Sequence, residues 1–314
     1  MAVPDRVSAV KNDDADPSPQ ASGSLGGPVL NALVKSGKFN VTAVKRQSSS
    51  ASFPDSVTVR TADLSSVDSV TAAFEGQDAV VSTVGTAGLP GQGVLVEAAV
   101  AANVKRFLPS DFGSDIANPK TGVLPVFKFK TATHKALREA AAAKPDFTYT
   151  LVCNNAFLDF GLQKNLLLNW KERKPKFFDG GKNVFSATTM DSVGQAVVGV
   201  LSHPEETKNR FVYVKDIDIS QNQLLEIAKK VDPGKTWEEP ILVDTAELEK
   251  SSFASLAKGE ITPPVMMGFL FRVMFGPPEY GGRFTKTDNE LLGVKGKTEA
   301  DVEALMKSLI HGSK

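Results

Sequence analysis

Several common features are scarce in this chain, and each absence excludes a class of protein. The single cysteine, Cys153, rules out an internal disulfide and is typical of a reducing compartment. Lys and Arg together number 36, as do Asp and Glu, so the net charge of zero gives no basic surface for nucleic acid. The longest apolar stretch, residues 265–275, contains Arg272 and is too short to cross a bilayer, and the N-terminus has no apolar signal-peptide core. These absences predict a cytoplasmic protein with no nucleic-acid or membrane partner.

Two kinds of catalytic centre are also missing from the sequence. With three histidines and one cysteine, a His/Cys zinc site is not expected, and we predict no metal. None of the three tyrosines, Tyr149, Tyr213 and Tyr280, has a lysine four residues further on. The Tyr-x-x-x-Lys pair of typical short-chain dehydrogenases is therefore absent. Cys153 lies in an apolar run, which favours a buried structural thiol over a nucleophile.

Short apolar runs alternate with helical patterns through the first half of the chain. Strands are predicted at residues 40–44, 56–59, 78–84, 104–108 and 147–153, and helices at 67–74, 93–102 and 131–143. This alternation predicts an α/β fold with a doubly wound parallel sheet, a Rossmann-like NAD(P)-binding domain over residues 21–157. A later strand near 211–214 is expected to join it. Residues 158–314, with helices at 221–231 and 298–310, are predicted to form a smaller α/β part that binds substrate.

A glycine-rich loop, Ala21-Ser-Gly-Ser-Leu-Gly-Gly27, precedes the first helical pattern. Glycines let the backbone approach a dinucleotide pyrophosphate, and the helix N-terminus supplies free N–H groups. Gly23 and Gly26 fit the second and third glycines of such a loop, whereas Gln20 stands at the first position. Pro28 suits a first helical turn and Gly37 is placed to end the helix. We predict that the cofactor binds at Gly23, Ser24, Leu25 and Gly26.

The segment before this loop does not have the expected pattern. A buried apolar strand should run directly into the glycines, but residues 11–20 are acidic and interrupted by proline. Residues 7–10 are the only candidate strand. We therefore expect the first strand to be missing or altered and residues 1–20 to be disordered. We also hypothesise that they are not the native start of the domain. If they are native, the sequence predicts low stability and weak cofactor binding.

Two basic residues close the next strand. Lys45 and Arg46 lie about 20 residues after the loop, where an NAD enzyme places an acidic residue on the ribose 2′-hydroxyl. An arginine at that position can pair with a 2′-phosphate, so NADP(H) is favoured over NAD(H) as cofactor. Alternatively, Lys45 and Arg46 are two solvent-exposed loop residues that do not bind a cofactor. Asp63, after the following strand, either contacts the adenine side of the cofactor or caps a helix.

Several segments together resemble one family. They are the glycine loop, Ser82-Thr-Val-Gly85, Val104-Lys-Arg-Phe-Leu-Pro-Ser-Asp-Phe-Gly113, and Phe147-Thr-Tyr-Thr150 followed by Asn155-Ala-Phe157. These segments are similar to those of NmrA-like and isoflavone reductase-like proteins, which are atypical short-chain dehydrogenases. The resemblance covers residues 21–213 and is looser beyond. The reductases usually carry Glu where Asp111 stands.

The resemblance implies an NADPH-dependent reductase with one catalytic lysine. That lysine opens the helix before the 147–150 strand, and the matching position here is Lys130. It would act as acid/base near the nicotinamide and the substrate oxygen, which requires a lysine pKa lowered from about 10.4 towards neutrality. Lys128 is its neighbour. His134, one helical turn beyond Lys130, is expected at the surface.

The resemblance also assigns residues along the cofactor. They are Thr83, Val84 and Gly85 past the pyrophosphate, Gln92 in the segment beyond, and Asn155 and Phe157 beside the nicotinamide. Core packing is a competing explanation for Phe157. The Met/Phe-rich residues 266–275 either wall an apolar substrate pocket or form core or an oligomer contact.

Two functions follow from these observations. The first is a reductase that uses NADPH on a small aromatic or carbonyl-containing substrate, with Lys130 as acid/base. The second is a regulatory protein that binds NAD(P) without turning it over, as some NmrA-like proteins do. A fold alone does not decide between them. The oligomeric state is not predicted.

Overall fold

A central sheet of parallel strands organises the chain. The computed structural model describes residues 1–10 and 23–312, and in that part seven strands pair in the order β10-β6-β5-β4-β1-β2-β3. All strands of the described residues, including those outside this sheet, are β1 (Arg6–Val10), β2 (Asn40–Lys45), β3 (Thr58–Thr61), β4 (Ala79–Ser82), β5 (Arg106–Leu108), β6 (Thr148–Cys153), β7 (Ala156–Phe157), β8 (Lys176–Phe178), β9 (Val184–Thr188), β10 (Arg210–Tyr213), β11 (Ile217–Ser220) and β12 (Ile241–Val243). The order reverses between β1 and β4, so the sheet is doubly wound, as predicted.

Helices cover both faces of this sheet. The helices of the described residues are α1 (Gly23–Ser36), α2 (Val67–Phe74), α3 (Gln92–Ala101), α4 (Pro119–Gly122), α5 (Lys128–Ala143), α6 (Leu158–Gln163), α7 (Met190–Ser202), α8 (Gln221–Val231), α9 (Thr245–Ala257), α10 (Pro263–Phe275), α11 (Asn289–Leu292) and α12 (Glu299–His311), of which α8, α9, α10 and α12 belong to the C-terminal half. On one face α1 and α7 pack together, and their approach requires Gly194, where a Cβ would lie 2.8 Å from the carbonyl oxygen of Pro28. On the other face α2, α3 and α5 bury Phe74, Leu95 and Leu137 against the strands.

The first strand is present, so the prediction that it is missing is wrong. β1 lies at the centre of the sheet, where Val7 pairs with Val41 of β2 and with Ala79 of β4. Its one buried polar side chain, Ser8, donates to Gln77 Oε1 at 3.1 Å. Disorder over residues 1–10 is likewise not found. The acidic segment 11–20 lies outside the described residues, as do Ala21 and Ser22 of the glycine loop.

Helix α1 begins earlier than the sequence pattern suggests. It starts at Gly23, so Pro28 is inside the helix rather than in its first turn. Because proline has no N–H, the carbonyl of Ser24 receives no i→i−4 hydrogen bond from it. The predicted end of the helix is confirmed, since Gly37 follows the last helical residue with a left-handed φ of 63°.

The C-terminal half adds smaller sheets and a helical layer. Strands β11, β9 and β7 form one sheet and β12 pairs with β8 in another, while β10 returns to the central sheet beside β6, as predicted for residues 211–214. The core of this half contains Phe178 and Phe275, whose rings stack 4.9 Å apart. Helix α12 begins at the predicted cap, Thr298, which forms a capping box with Asp301.

Candidate active site

A cavity of about 230 Å³ lies at the carboxyl ends of the central strands, where α10 faces the sheet. In a doubly wound sheet this edge, at the reversal of strand order, is where ligands bind. Its lining includes six of the predicted site residues, namely Ser24, Leu25, Val84, Lys130, Asn155 and Phe157. The structure therefore brings together the start of α1, the end of β4, the start of α5 and the β6–β7 connection.

Lys130 is held by backbone carbonyls at the cavity wall. It lies in the first turn of α5, and its Nζ donates to the carbonyl oxygens of Asp111 at 2.5 Å and Phe112 at 3.0 Å. Loss of water around the amine lowers the pKa of Lys130, while the negative charge of Asp111 opposes that shift. Gly113 follows with a φ of 136°, and a Cβ there would lie 3.6 Å from Lys130 Nζ. The positive φ, a conformation that other residues avoid, accounts for glycine at this position beside the amine.

His134 is buried, so the prediction that it lies at the surface is wrong. Its Nε2 lies 2.7 Å from Asp111 Oδ1, and both side chains are almost fully excluded from water. The ring also meets Phe211 edge-on, with centroids 5.5 Å apart. The other carboxylate oxygen of Asp111, Oδ2, is buried and has no hydrogen-bond partner among the described residues. The sequence signal was the one-turn spacing from Lys130, but the partner is 23 residues away along the chain.

Asn155 adopts a left-handed conformation at the cavity wall. Its φ of 48° is left-handed, which asparagine tolerates better than most residues. Its backbone N–H donates to Gly113 O at 2.9 Å, and its side-chain Nδ2 donates to Gly282 O. The side-chain oxygen is buried and has no partner within the described ranges. Phe157, two residues on, contributes its ring to the cavity wall.

The start of α1 fits the phosphates of a dinucleotide. Ser24 and Leu25 line the cavity, Ser24 is exposed, and Gly26 is buried beneath them. The first N–H groups of any helix have no partner within the helix, and here they lie at the crevice between β1 and β4. A Cβ at Gly27 would meet none of the described residues within 4 Å. These observations fit a bound pyrophosphate.

Three predicted cofactor residues serve as braces instead of lining the cavity. Thr83 donates from both its N–H and its hydroxyl to Val10 O, each at 3.0 Å. Gly85 precedes the 3₁₀ turn Thr86–Gly91 and its carbonyl accepts from Gly88 N at 2.8 Å. Gln92 is fully buried, and its side-chain oxygen accepts from Ser110 N at 2.6 Å. Sequence position alone does not distinguish a residue that touches a ligand from one that braces the strand ends.

The residues predicted to recognise the adenosine end lie outside the cavity. Lys45 donates to the carbonyls of Ser49 at 3.0 Å and Ala51 at 3.3 Å, so it folds the loop after β2. Arg46 directly follows that strand and is partly buried. Asp63 Oδ1 accepts from the N–H and the hydroxyl of Ser65, and these bonds lower the pKa of the Asp63 carboxyl group.

The wall facing Lys130 is apolar and comes from α10. Met267, Leu270, Phe271 and Met274 recur at helical spacing and all face the cavity. Of the two alternatives for the 266–275 stretch, these four residues wall the pocket, whereas Phe269, Val273 and Phe275 are core. The α6 segment adds Phe160 and Gly161, which the sequence analysis did not single out.

Known proteins resemble this chain in sequence and in fold. A family model described as NAD(P)H-binding matches residues 21–204. The oxidoreductase poxI of Penicillium oxalicum is 38% identical over 224 residues, covering 69% of each chain. The isoflavone reductase homolog IRL of Zea mays is 30% identical over 205 residues, covering 63% of this chain and 65% of its own. A solved structure, AtPrR2 with NADP⁺ and (+)pinoresinol, superposes with a TM-score of 0.76 at 19% identity and covers 98% of this chain and 100% of its own.

The doubly wound parallel sheet with helices on both faces is a Rossmann-like NAD(P)-binding fold. The chain belongs to the NAD(P)H-binding family, and within it to the NmrA-like and isoflavone reductase-like group. It is an NAD(P)H-dependent oxidoreductase, and this favours the enzyme over the regulatory alternative.

Two further findings concern membranes and metals. Within residues 1–10 and 23–312, helices are too short or too polar to cross a bilayer. In the same described part, no three His, Cys, Asp or Glu side chains converge where they could hold a metal ion.

Proposed function

We propose that the protein is an NADPH-dependent reductase in which Lys130 is the acid that protonates the substrate oxygen. The observation that carries this proposal is the position of Lys130 Nζ, which is fixed by two carbonyls at the wall of the cavity. The start of α1 lines the same cavity through Ser24 and Leu25. A cofactor bound at α1 and a substrate held near Lys130 would therefore share one cavity.

We assign the cofactor to the central sheet. Residues 21–157 together with β10 would hold it, with its pyrophosphate at the N-terminus of α1. NADPH supplies a hydride when bound. Arg46, at the end of β2, would pair with the 2′-phosphate and so select NADPH over NADH. AtPrR2 with NADP⁺ has the same fold, which supports a phosphorylated cofactor.

We assign the substrate to the part formed by residues 158–314. Its helix α10 presents methionine, leucine and phenylalanine side chains to the cavity, opposite the polar groups Lys130 and Asn155. A small molecule with one apolar, aromatic end and one carbonyl or similar oxygen fits this division. The solved structure with (+)pinoresinol and the isoflavone reductase homolog of Zea mays support an aromatic substrate.

The test is hydride transfer in the Lys130→Met variant. A panel of aromatic carbonyl compounds would be screened with NADPH, and oxidation of the cofactor would be followed by its absorbance. For any substrate that turns over, Lys130→Met should lower kcat by about 10²–10⁴-fold, the contribution of one general acid. Lys128→Met is the matched control, because Lys128 is exposed on the same helical turn and contacts the ring of Phe129 instead.

Cofactor binding separates loss of chemistry from loss of the site. Lys130→Met should bind NADPH as tightly as the unaltered protein does. Hydride transfer that survives in Lys130→Met at the rate of Lys128→Met would rule out the proposed role of Lys130.

A further inference from the structure

Helix α5 is joined to the segment after β5 at two points one helical turn apart. At the first point Lys130 Nζ donates to the carbonyl of Asp111, and at the second His134 Nε2 lies 2.7 Å from the carboxylate of the same residue. Asp111 therefore meets α5 through both its backbone and its side chain. The segment cannot shift relative to α5 without breaking both contacts.

The two carbonyls leave one position open on the Lys130 amine. A lysine ammonium has three N–H donors and a neutral amine has two. The carbonyls of Asp111 and Phe112 accept two of them in either protonation state. The third position carries the proton of the acid or the lone pair of the base. The positions of the two carbonyl oxygens therefore set the direction in which the proton or the lone pair of Lys130 points.

The side chain of Asp111 is held in place by His134. The carboxylate is buried with one oxygen on His134 and the other without a partner in the described part of the chain. His134 is in turn fixed by the edge-on contact with Phe211 of β10. A buried carboxylate with a single anchor is costly, which indicates a role beyond packing.

We propose that Asp111 and His134 form a positioning pair that fixes the Lys130 amine and keeps a negative charge beside it. The inference rests on the proposed role of Lys130 but concerns residues that do not line the cavity. Without the pair, the segment that carries the carbonyls of Asp111 and Phe112 loses its side-chain contact with α5, and Lys130 loses the charge that favours its protonated form.

The other titratable groups around this pair come from neighbouring elements. They are Cys153 on β6, Asp115 in the segment after β5 and Tyr213 on β10, whose hydroxyl lies 3.1 Å from Asp115 Oδ1. Burial raises the pKa of both the Cys153 thiol and the Asp115 carboxyl group. Asp111 is thus the charged group that acts most strongly on Lys130, after burial itself.

The test compares three variants with a matched control. Asp111→Asn removes the charge at nearly constant shape, His134→Leu removes the anchor, and His134→Gln retains an N–H that can reach Asp111. Lys135→Gln is the control, because Lys135 is the next residue on α5 and is exposed on the surface beside Glu139. The primary readout is the pH at which Lys130 becomes reactive towards acetic anhydride, measured by peptide mass spectrometry with Lys128 as internal reference. The second is the pH profile of kcat.

The positioning pair predicts that the titration midpoint of Lys130 falls by roughly one pH unit in Asp111→Asn and also falls in His134→Leu. His134→Gln should restore it, and Lys135→Gln should leave it unchanged. In Asp111→Asn and His134→Leu, kcat should drop about tenfold while the KM for NADPH stays constant.

An unchanged Lys130 midpoint in folded Asp111→Asn and His134→Leu would overturn the inference. Should His134→Leu fail to fold, Asp111→Asn and His134→Gln decide the question by the same midpoint. The labelling needs no turnover, so it is independent of the proposed function. Hydride transfer retained in Lys130→Met would refute the catalytic role of Lys130, whereas a fixed midpoint would refute only the positioning pair.

Discussion

Thr83 binds Val10 with both of its donors, since its backbone N–H and its hydroxyl each lie 3.0 Å from the carbonyl oxygen of Val10. This contact joins the ends of β1 and β4 at the point where the strand order reverses. It is the floor of the crevice in which a doubly wound sheet binds its ligand. The shape of this crevice therefore depends on β1.

Replacing a core residue of β1 should destabilise the whole domain. Val7 is fully buried between α1 and the neighbouring strands, so Val7→Ala should lower the free energy of unfolding by about 2 kcal/mol through lost burial and a residual cavity. Urea unfolding would measure the loss. Val3→Ala is the control, because Val3 is 51% exposed, and equal stability of the two variants would show that β1 is not in the core.

Arg106 should be a structural residue of the motif that first suggested the family. Its guanidinium is 1% exposed and donates to the hydroxyls of Thr148, Thr150 and Thr207 and to the carbonyl of Pro204. Burial lowers the pKa of Arg106 to about 10. Arg106→Met leaves these buried acceptors without the hydrogen bonds that Arg106 donates.

The expected loss of stability in Arg106→Met is about 1–3 kcal/mol in urea unfolding, the range for leaving buried hydrogen-bond partners unsatisfied. Lys105→Met, at the exposed neighbouring position, should change stability little. A loss in Arg106→Met no larger than that of the control would refute the structural role.

Arg46 should select the phosphorylated cofactor. Arg46→Ala should weaken NADPH binding by about 10–100-fold, the worth of hydrogen bonds between charged groups, while NADH binding changes little. Titration calorimetry with each cofactor measures both. Lys258→Ala, an exposed lysine at the end of α9, controls for the loss of one positive charge. Equal losses for NADPH and NADH would place Arg46 away from the 2′-phosphate.

The pH profile of kcat should report Lys130. An acid must hold its proton, so reduction proceeds below the pKa of Lys130 and slows as the pH rises through it. Because burial lowers that pKa, the decline should begin below about 10.4, the ordinary lysine value. A kcat that stays constant to more alkaline pH would contradict the assignment.

Local patterns predicted most of the central sheet. The strand at 40–44 is β2 (Asn40–Lys45), and the helix at 93–102 is α3 (Gln92–Ala101), each shifted by about one residue. These elements depend on apolar periodicity within a few residues, which the sequence displays directly. β1 was missed for the opposite reason. Its own five residues fit a buried strand, but the polar segment that follows does not, and that segment argues against a strand at this position.

The candidate site likewise contains residues that local sequence patterns identify and residues whose contacts they do not. Lys130, Asn155 and Phe157 lie in recognisable segments and do meet at the cavity. His134 is buried against Asp111, 23 residues away along the chain, and Gln92 hydrogen-bonds Ser110, 18 residues away. Contacts between residues so far apart are set by packing of the whole domain, which one sequence does not display.

The most direct test of the account is a calorimetric titration of the purified, folded chain with NADPH and, separately, with NADH. The account predicts that NADPH binds at least about tenfold more tightly than NADH, because the start of α1 accepts the pyrophosphate and Arg46 the 2′-phosphate. Failure to bind either cofactor, or tighter binding of NADH, would contradict it.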